Sequence, residues 1–378
     1  MSSNTPIIID LGSSEIKAGY KNDNSLPSVR FPSYIGEPKY NKILRALNKN
    51  KKDLHEFFVG DNCESYLGLL NLRYPIQHGV FENERDIPII FNHIFSKLYI
   101  NEDEIAHHPL LITEPLLNQK KNREMISEIL FEKYNIPSLV FAYQPSLSLF
   151  AFTSTTGVIL ESGDGVSQIC SIVDGCSIPS SYIRSDFGGA DVSEYFRKLL
   201  KKAGIELISD TEKLIVHEIK KKLLNFYSEG KKDESMVSKY TLPDLNVIQI
   251  DSEKYLASKV LLTPSLVGKN CLGLHQMVAT CIEKVNSELR EKLCPLVKLT
   301  GGNSCIKTLN EVMHTEIKGL LPKLNNKIKI KSMTSNMATI SCWYGGNIIS
   351  SLNIFKDLLI SKKDWEEKGR DIINKQTF

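Results

Sequence analysis

The eight cysteines of this 378-residue chain form no Cys-x-x-Cys pair. They read as reduced thiols, as expected of a cytosolic or nuclear protein. Charge of one sign is nearly absent in excess: 47 basic against 44 acidic side chains leave a formal net charge of +3. That balance argues against nucleic acid or a membrane as the main partner. The opening MSSNTPIIID has no basic stretch followed by a long apolar core, so no signal peptide is expected. No apolar run is long enough to span a bilayer. What remains is a composition with 42% hydrophobic and 24% charged residues, enough for a packed protein of two domains.

The stretch TGVILESGDGVSQ at 156–168 organises the rest. Three apolar residues run into Glu161, the chain turns through Ser162-Gly163-Asp164-Gly165, and a second strand leaves from Val166. Asp-Gly between apolar runs is a β-hairpin signal. Two glycines let the backbone approach a ligand and aim N–H groups at it, which suits phosphate. An ordinary hairpin would show the same string. A second copy changes the balance: PIIIDLGSSEIKAGY at 6–20 repeats the order apolar run, acid (Asp10), glycine turn, strand. Repetition at that distance suggests duplicated domains. Facing hairpins would hold a polyphosphate, and Asp10, Glu161 and Asp164 would bind the waters of a hard cation such as Mg²⁺.

Elsewhere helical spacing predicts helices at 86–98, 121–133, 146–152, 192–201, 211–226, 274–293, 307–320 and 347–359. A hairpin is expected over 240–250, and strands at 29–35, 109–113, 138–141, 296–302 and 327–331. Residues 36–57, rich in Lys and Asn, read as an exposed insert, with a polymer-contact loop as the sharper alternative. His78 has no neighbours at metal-ligand spacing and reads as structural. Gln144 could orient a water or simply close a strand end. Gly188-Gly189 before a helix could admit a phosphate or ribose, or make a tight packing turn. The lysines at 220–222 read as a solvated basic face. Leu266 and Val267 look exposed in the loop 264–269.

Eight collinear segments resemble the actin superfamily over nearly the whole chain: DLGSSEIKAGY at 10–20, FPSYIGEPK at 31–39, LRYPIQHG at 72–79, HPLLITEPLLNQKKNRE at 108–124, TTGVILESGDGV at 155–166, LTGGNS at 299–304, WYGGNIISSLNIF at 343–355 and ISKKDWEEKG at 360–369. FPSYIG, ISKKDWEE, the KKDE at 231–234 and the final Thr-Phe lean toward the actin-related proteins that build the short filament of dynactin.

The resemblance implies an α/β, actin-like ATPase fold: two duplicated ribonuclease-H-like domains around a nucleotide cleft, with four subdomains. The first domain would span 1–143 plus 342–378, with an insert subdomain at about 34–75. The second would span 144–341, with an insert at about 188–275. ATP or ADP with Mg²⁺ is the implied cofactor. Ser13, Ser14, Glu15 and Lys17 match the first phosphate loop, and Gly163, Asp164, Gly165 and Val166 the second. Gly189, Lys220, Gly302, Asn303, Cys305 and Ile306 match the nucleoside side. Asp10, Glu161 and Asp164 fall where the family holds Mg²⁺ through water. Gln144, Asp164 and Gln168 fall at the attacking water.

Several positions depart from the family pattern. Glu161 replaces Asp, and Gln168 replaces a histidine, so slow hydrolysis is expected because an amide cannot take a proton. Lys221 replaces a Glu, Ile306 a Tyr and Thr339 a Lys on the nucleoside side. Lys269 puts charge beside the apolar Leu266-Val267. Expected partners are like subunits or other actin-related proteins, dynactin or dynein components, and helix-inserting proteins at Phe150, Ile349 and Ile354. Neither nucleic acid nor membrane is expected as a direct partner. Competing readings are a non-polymerising interaction subunit, as in nuclear chromatin complexes, and a divergent conventional actin. A sugar kinase or chaperone ATPase of the same fold ranks lower, for want of a catalytic acid or a separate substrate domain.

Overall fold

The computed structural model describes residues 4–21, 26–40, 57–227 and 237–374. Nearly all of the lysine-rich insert, the KKDE at 231–234 and the final Thr-Phe lie outside the described residues. The chain divides into two compact units, Met1–Ser154 with Ile340–Phe378, and Thr155–Thr339.

The first unit is built on a mixed sheet. Its central strand, Ile7–Leu11, pairs antiparallel with Glu15–Tyr20 and parallel with Leu110–Glu114. Val29–Pro32 extends one side, and Ser138–Tyr143 and Ile360–Ser361 the other. Side-chain alternation separates two cores. Ile7, Ile9, Leu110, Ile112, Leu139 and Phe141 pack with Ile90, Phe91 and Leu130. Ile8, Leu111, Val140 and Ala142 pack with Leu147, Trp343 and Ile349. Both faces are covered, which is why these strands read as unbroken apolar runs.

The second unit repeats the pattern. Gly157–Ser162 pairs antiparallel with Ser167–Val173 and parallel with Val297–Thr300, and Ile330–Ser332 follows in parallel. Each unit therefore centres on a hairpin whose first strand also has a parallel neighbour. A two-stranded hairpin, Ser238–Thr241 with Val247–Ile250, has the pairing expected around Pro243-Asp244.

Several helix boundaries differ from expectation: the helix expected at 211–226 ends at Leu223, and that at 121–133 is Lys120–Glu128 followed by a π-helical turn, Ile129–Lys133. The run at 274–293 is two helices, Leu274–Glu283 and Ser287–Leu293. Asn286 caps the second, its side chain accepting from the Leu289 N–H at 3.0 Å, and this competes with continuing the first helix. The helix expected at 347–359 instead spans Ser341–Ile349, and a separate turn covers Phe355–Leu358. Gly345-Gly346 thus lies inside the helix. A Cβ at Gly345 would stand 1.8 Å from the Leu147 carbonyl oxygen, so glycine is there to let two helices touch. The helix expected from 192 begins at Gly189.

Candidate functional site

In the first unit the strand register sets Asp10 opposite Lys17 across the hairpin. The Lys17 ammonium donates to Asp10 Oδ2 at 3.2 Å and stands 3.9 Å from Glu15. Burial alone would depress the lysine's pKa, but Asp10 and Glu15 outweigh it and hold the pKa above the ordinary value. Asp10 Oδ1 accepts from the Thr113 hydroxyl at 2.6 Å and the Gln144 amide at 3.4 Å, and the same amide reaches Thr113 at 3.3 Å. Gln144 opens the helix Gln144–Ala151 at the end of strand Ser138–Tyr143, which delivers it to the turn. Ser13 accepts from the Gly79 N–H at 3.0 Å, the Ser14 carbonyl accepts from Ser33, and Glu15 takes a 2.8 Å bond from Arg30. Lys17 and the Asp10–Gln144 pair thus stand together at one turn.

In the second unit four elements meet at the turn 163–166. The Gly163 N–H bonds the Val166 carbonyl at 2.9 Å and closes the turn. Asn303, within the short helix Gly302–Cys305, donates to the Gly163 carbonyl at 2.7 Å and Ser162 Oγ at 2.9 Å. The first turn of helix Gly189–Lys202 reaches back through Gly189 N–H to the Gly163 carbonyl (3.0 Å) and Ala190 N–H to the Asp164 carbonyl (2.9 Å). Lys220, from helix Asp210–Leu223, donates to Asp164 Oδ1 at 3.2 Å and the Gly189 carbonyl at 2.8 Å. His217, one turn earlier, lies 3.9 Å from the same carboxylate oxygen.

Burial pushes the Asp164 carboxyl up, but Lys220 and His217 pull it below the usual carboxylate range. Burial lowers the Lys220 pKa, and Asp164 only partly restores it. Burial, reinforced by Lys220, pushes His217 down to about 4, so this imidazole is neutral at pH 7.

Gly189 closes a cradle. A Cβ there would lie 2.8 Å from both Asp164 Oδ1 and Lys220 Nζ, and 3.0 Å from Asn303 Oδ1. The expectation of a solvated lysine face fails at Lys220, which is buried. It holds for Lys221, which pairs with Glu218 at 3.1 Å on the exposed side of the helix. Glu161 and Gln168 sit opposite each other in register, and the Gln168 amide donates to Glu161 at 3.5 Å.

The remaining residues on the nucleoside side are more dispersed in their contacts. Cys305 Sγ faces the Ser335 carbonyl at 3.7 Å, and burial raises its pKa. Ile306 packs against the unit's apolar core. Thr339 donates to the Asn336 carbonyl at 3.1 Å. The groove expected at Phe150, Ile349 and Ile354 is corrected in part: Ile349 is 1% exposed and belongs to the core, Phe150 packs beside it, and Ile354 is half exposed. Val267 likewise packs on the core of the second unit, whereas Leu266 is exposed.

Thr113 and His217 escaped sequence reading as members of these clusters. Thr113 was legible only as the strand position before Glu114, and His217 only as one residue of a basic helix face.

The Actin family model matches residues 1–213 and 209–378. Two units centred on matching hairpins, each with a carboxylate held by a lysine, are the architecture of an actin-like ATPase fold. The chain belongs to the actin family.

The residues present suit the Mg²⁺ nucleotide typical of that family. Each turn offers an ammonium for phosphate and a carboxylate for a metal-bound water. Only glycine at 189 lets the backbone come this close to the Asp164 carboxylate and the Lys220 ammonium.

Proposed function

We propose that this protein is a centractin-like member of the actin family that binds Mg-ATP through its two hairpin turns and assembles into a short filament or complex. On this reading it works in the cytoplasm, in the cytoskeleton linked to dynein and dynactin, beside like subunits or other actin-related proteins. The observation that carries the nucleotide reading is the convergence of Lys220, Asn303 and Gly189 on the turn at Gly163-Asp164: Lys220 donates to the Asp164 carboxylate, Asn303 and the Gly189 N–H to the Gly163 carbonyl. Three helices outside the hairpin direct polar groups at one turn, an arrangement a plain hairpin does not require.

Bound Mg²⁺ would neutralise triphosphate charge and supply ordered water. Lys17 and Lys220 would hold phosphate oxygens, and Asp10, Glu161 and Asp164 the metal's waters. Ser13, Ser14 and the backbone of 163–166 would add donors, with Gly302, Cys305 and Ile306 along the nucleoside. Gln144, held by Asp10 and Thr113, would orient the attacking water. Gln168 can donate and accept but cannot remove a proton, so hydrolysis is slow and assembly does not wait for it.

Nucleotide released on denaturing the purified protein tests the site. Near-stoichiometric ATP or ADP is expected in the wild type and loss of it in Lys220→Ala. Equal retention in both would overturn the assignment. Sedimentation with Mg-ATP tests assembly: short oligomers support it, and a persistent monomer would favour the non-polymerising interaction subunit.

A further inference from the structure

The phosphate turn of the second unit is tied, through one lysine, to an exposed loop on the same unit. Residues 264–269 form a compact piece. Pro264–Val267 is a short 3-10 turn, Gly268 closes it in the left-handed region (φ 75°), and the Lys269 N–H returns to the Pro264 carbonyl at 3.2 Å. Val267 anchors it to the core and Leu266 projects, 46% exposed.

Lys269 leaves this piece and straddles the segment 186–191. Its ammonium lies 3.4 Å from the Asp186 carbonyl and 3.5 Å from Asp191 Oδ1. Asp191 is already committed on its other oxygen, which accepts from the Gly188 N–H at 3.0 Å. Gly188 and Gly189, between the two clamped residues, lie directly on the turn. A Cβ at Gly188 would meet the Asp164 carbonyl oxygen at 2.5 Å. The Gly189 carbonyl is held by Lys220, the same ammonium that binds Asp164. Polar contacts therefore run from Asp164 through Lys220 to the Gly189 carbonyl and, one peptide along at the Gly188 N–H, through Asp191 to Lys269.

We infer that Lys269 is a latch that makes the exposed 264–268 loop respond to occupancy of the phosphate turn. The inference rests on the nucleotide reading above. An anion at the turn gives Lys220 a further acceptor and fixes it, and with it the Gly189 carbonyl and the 186–191 segment. The Lys269 bridge passes that ordering to a loop that is otherwise seated through Pro264 and Val267 and leaves Ser265, Leu266 and Gly268 exposed. Ordering without displacement is enough to couple two sites. The bridge is partly exposed, so the coupling is modest.

Hydrogen exchange of the full-length protein, with and without Mg-ATP, tests this. In the wild type, exchange slows at 163–166 and also at 264–268, the latter by about two- to fivefold, the range an exposed ion pair can transmit. Lys269→Ala and, independently, Asp191→Asn keep the slowing at 163–166 and lose it at 264–268. A loop response that survives in both variants overturns the latch. So does a wild type in which only the turn is protected. Protection at neither place overturns both the latch and the nucleotide assignment on which it depends.

Discussion

Asp10 and Lys17 face each other across one hairpin, seven residues apart. Asp164 and Lys220 are 56 residues apart and come from a turn and a helix. The first pairing follows from strand register alone. The second needs a whole unit folded around it, and it carries the larger electrostatic tension: the Lys17 pKa is raised, that of Lys220 lowered. Lys17 has a second carboxylate within reach, whereas the direct contacts of Lys220 are Asp164 and a neutral carbonyl. The turn that draws its lysine from a distance is the more vulnerable to losing its acid.

The largest effect should come from Asp164→Ala, which strands a buried ammonium and should lower unfolding stability by about 3–5 kcal/mol in urea melts. Adding Lys220→Met should recover much of that loss, because no uncompensated charge remains. A double variant as unstable as the single would break the comparison.

Acid should expose the next difference. His217 titrates near 4 when folded, against an ordinary histidine value of 6.5. Between those values the unfolded chain takes up a proton that the folded chain refuses, so stability falls as pH drops from about 6.5 to 4, by about 3 kcal/mol for this group. His93, in the first unit away from its turn, is also pushed down to about 4 by burial and titrates in the same window. His217→Gln should therefore flatten the slope of stability against pH without abolishing it. An unchanged slope would remove His217 from the account.

Asp10→Ala should cost less, about 1–2 kcal/mol, because Lys17 can lean toward Glu15. A cost exceeding that of Asp164→Ala would reverse the ranking of the two turns. Lys221→Ala should be smallest, within about 0.5 kcal/mol in the same melts, since it removes only an exposed pair with Glu218.

The same contrast explains what could be read without coordinates. The apolar runs that end in an acid and a glycine turn announced both hairpins, because run length and turn chemistry are local. Asp10 opposite Lys17 is likewise local. Lys220 was not separable from Lys221 and Lys222 by composition, since only helix phase against the 163–166 turn buries one and exposes its neighbours. The Leu274–Leu293 stretch misled because apolar spacing persists across Asn286, and one capping amide ended the first helix. The reason for Gly345 also lies outside its own segment: a Cβ there would stand 1.8 Å from the Leu147 carbonyl oxygen of the facing helix.

That helix has a further consequence for how the chain comes to be folded. Trp343 is wholly buried, and its indole N–H donates to the Ile8 carbonyl, 335 residues earlier. The strand synthesised almost first is therefore sealed on one face by a side chain synthesised almost last. On the ribosome Ile8, Leu111 and Val140 must wait, uncovered, while the entire second unit is translated. Holding that apolar strip apart from other nascent chains is a task for chaperones, and truncation just before Trp343 should leave a chain that never escapes them.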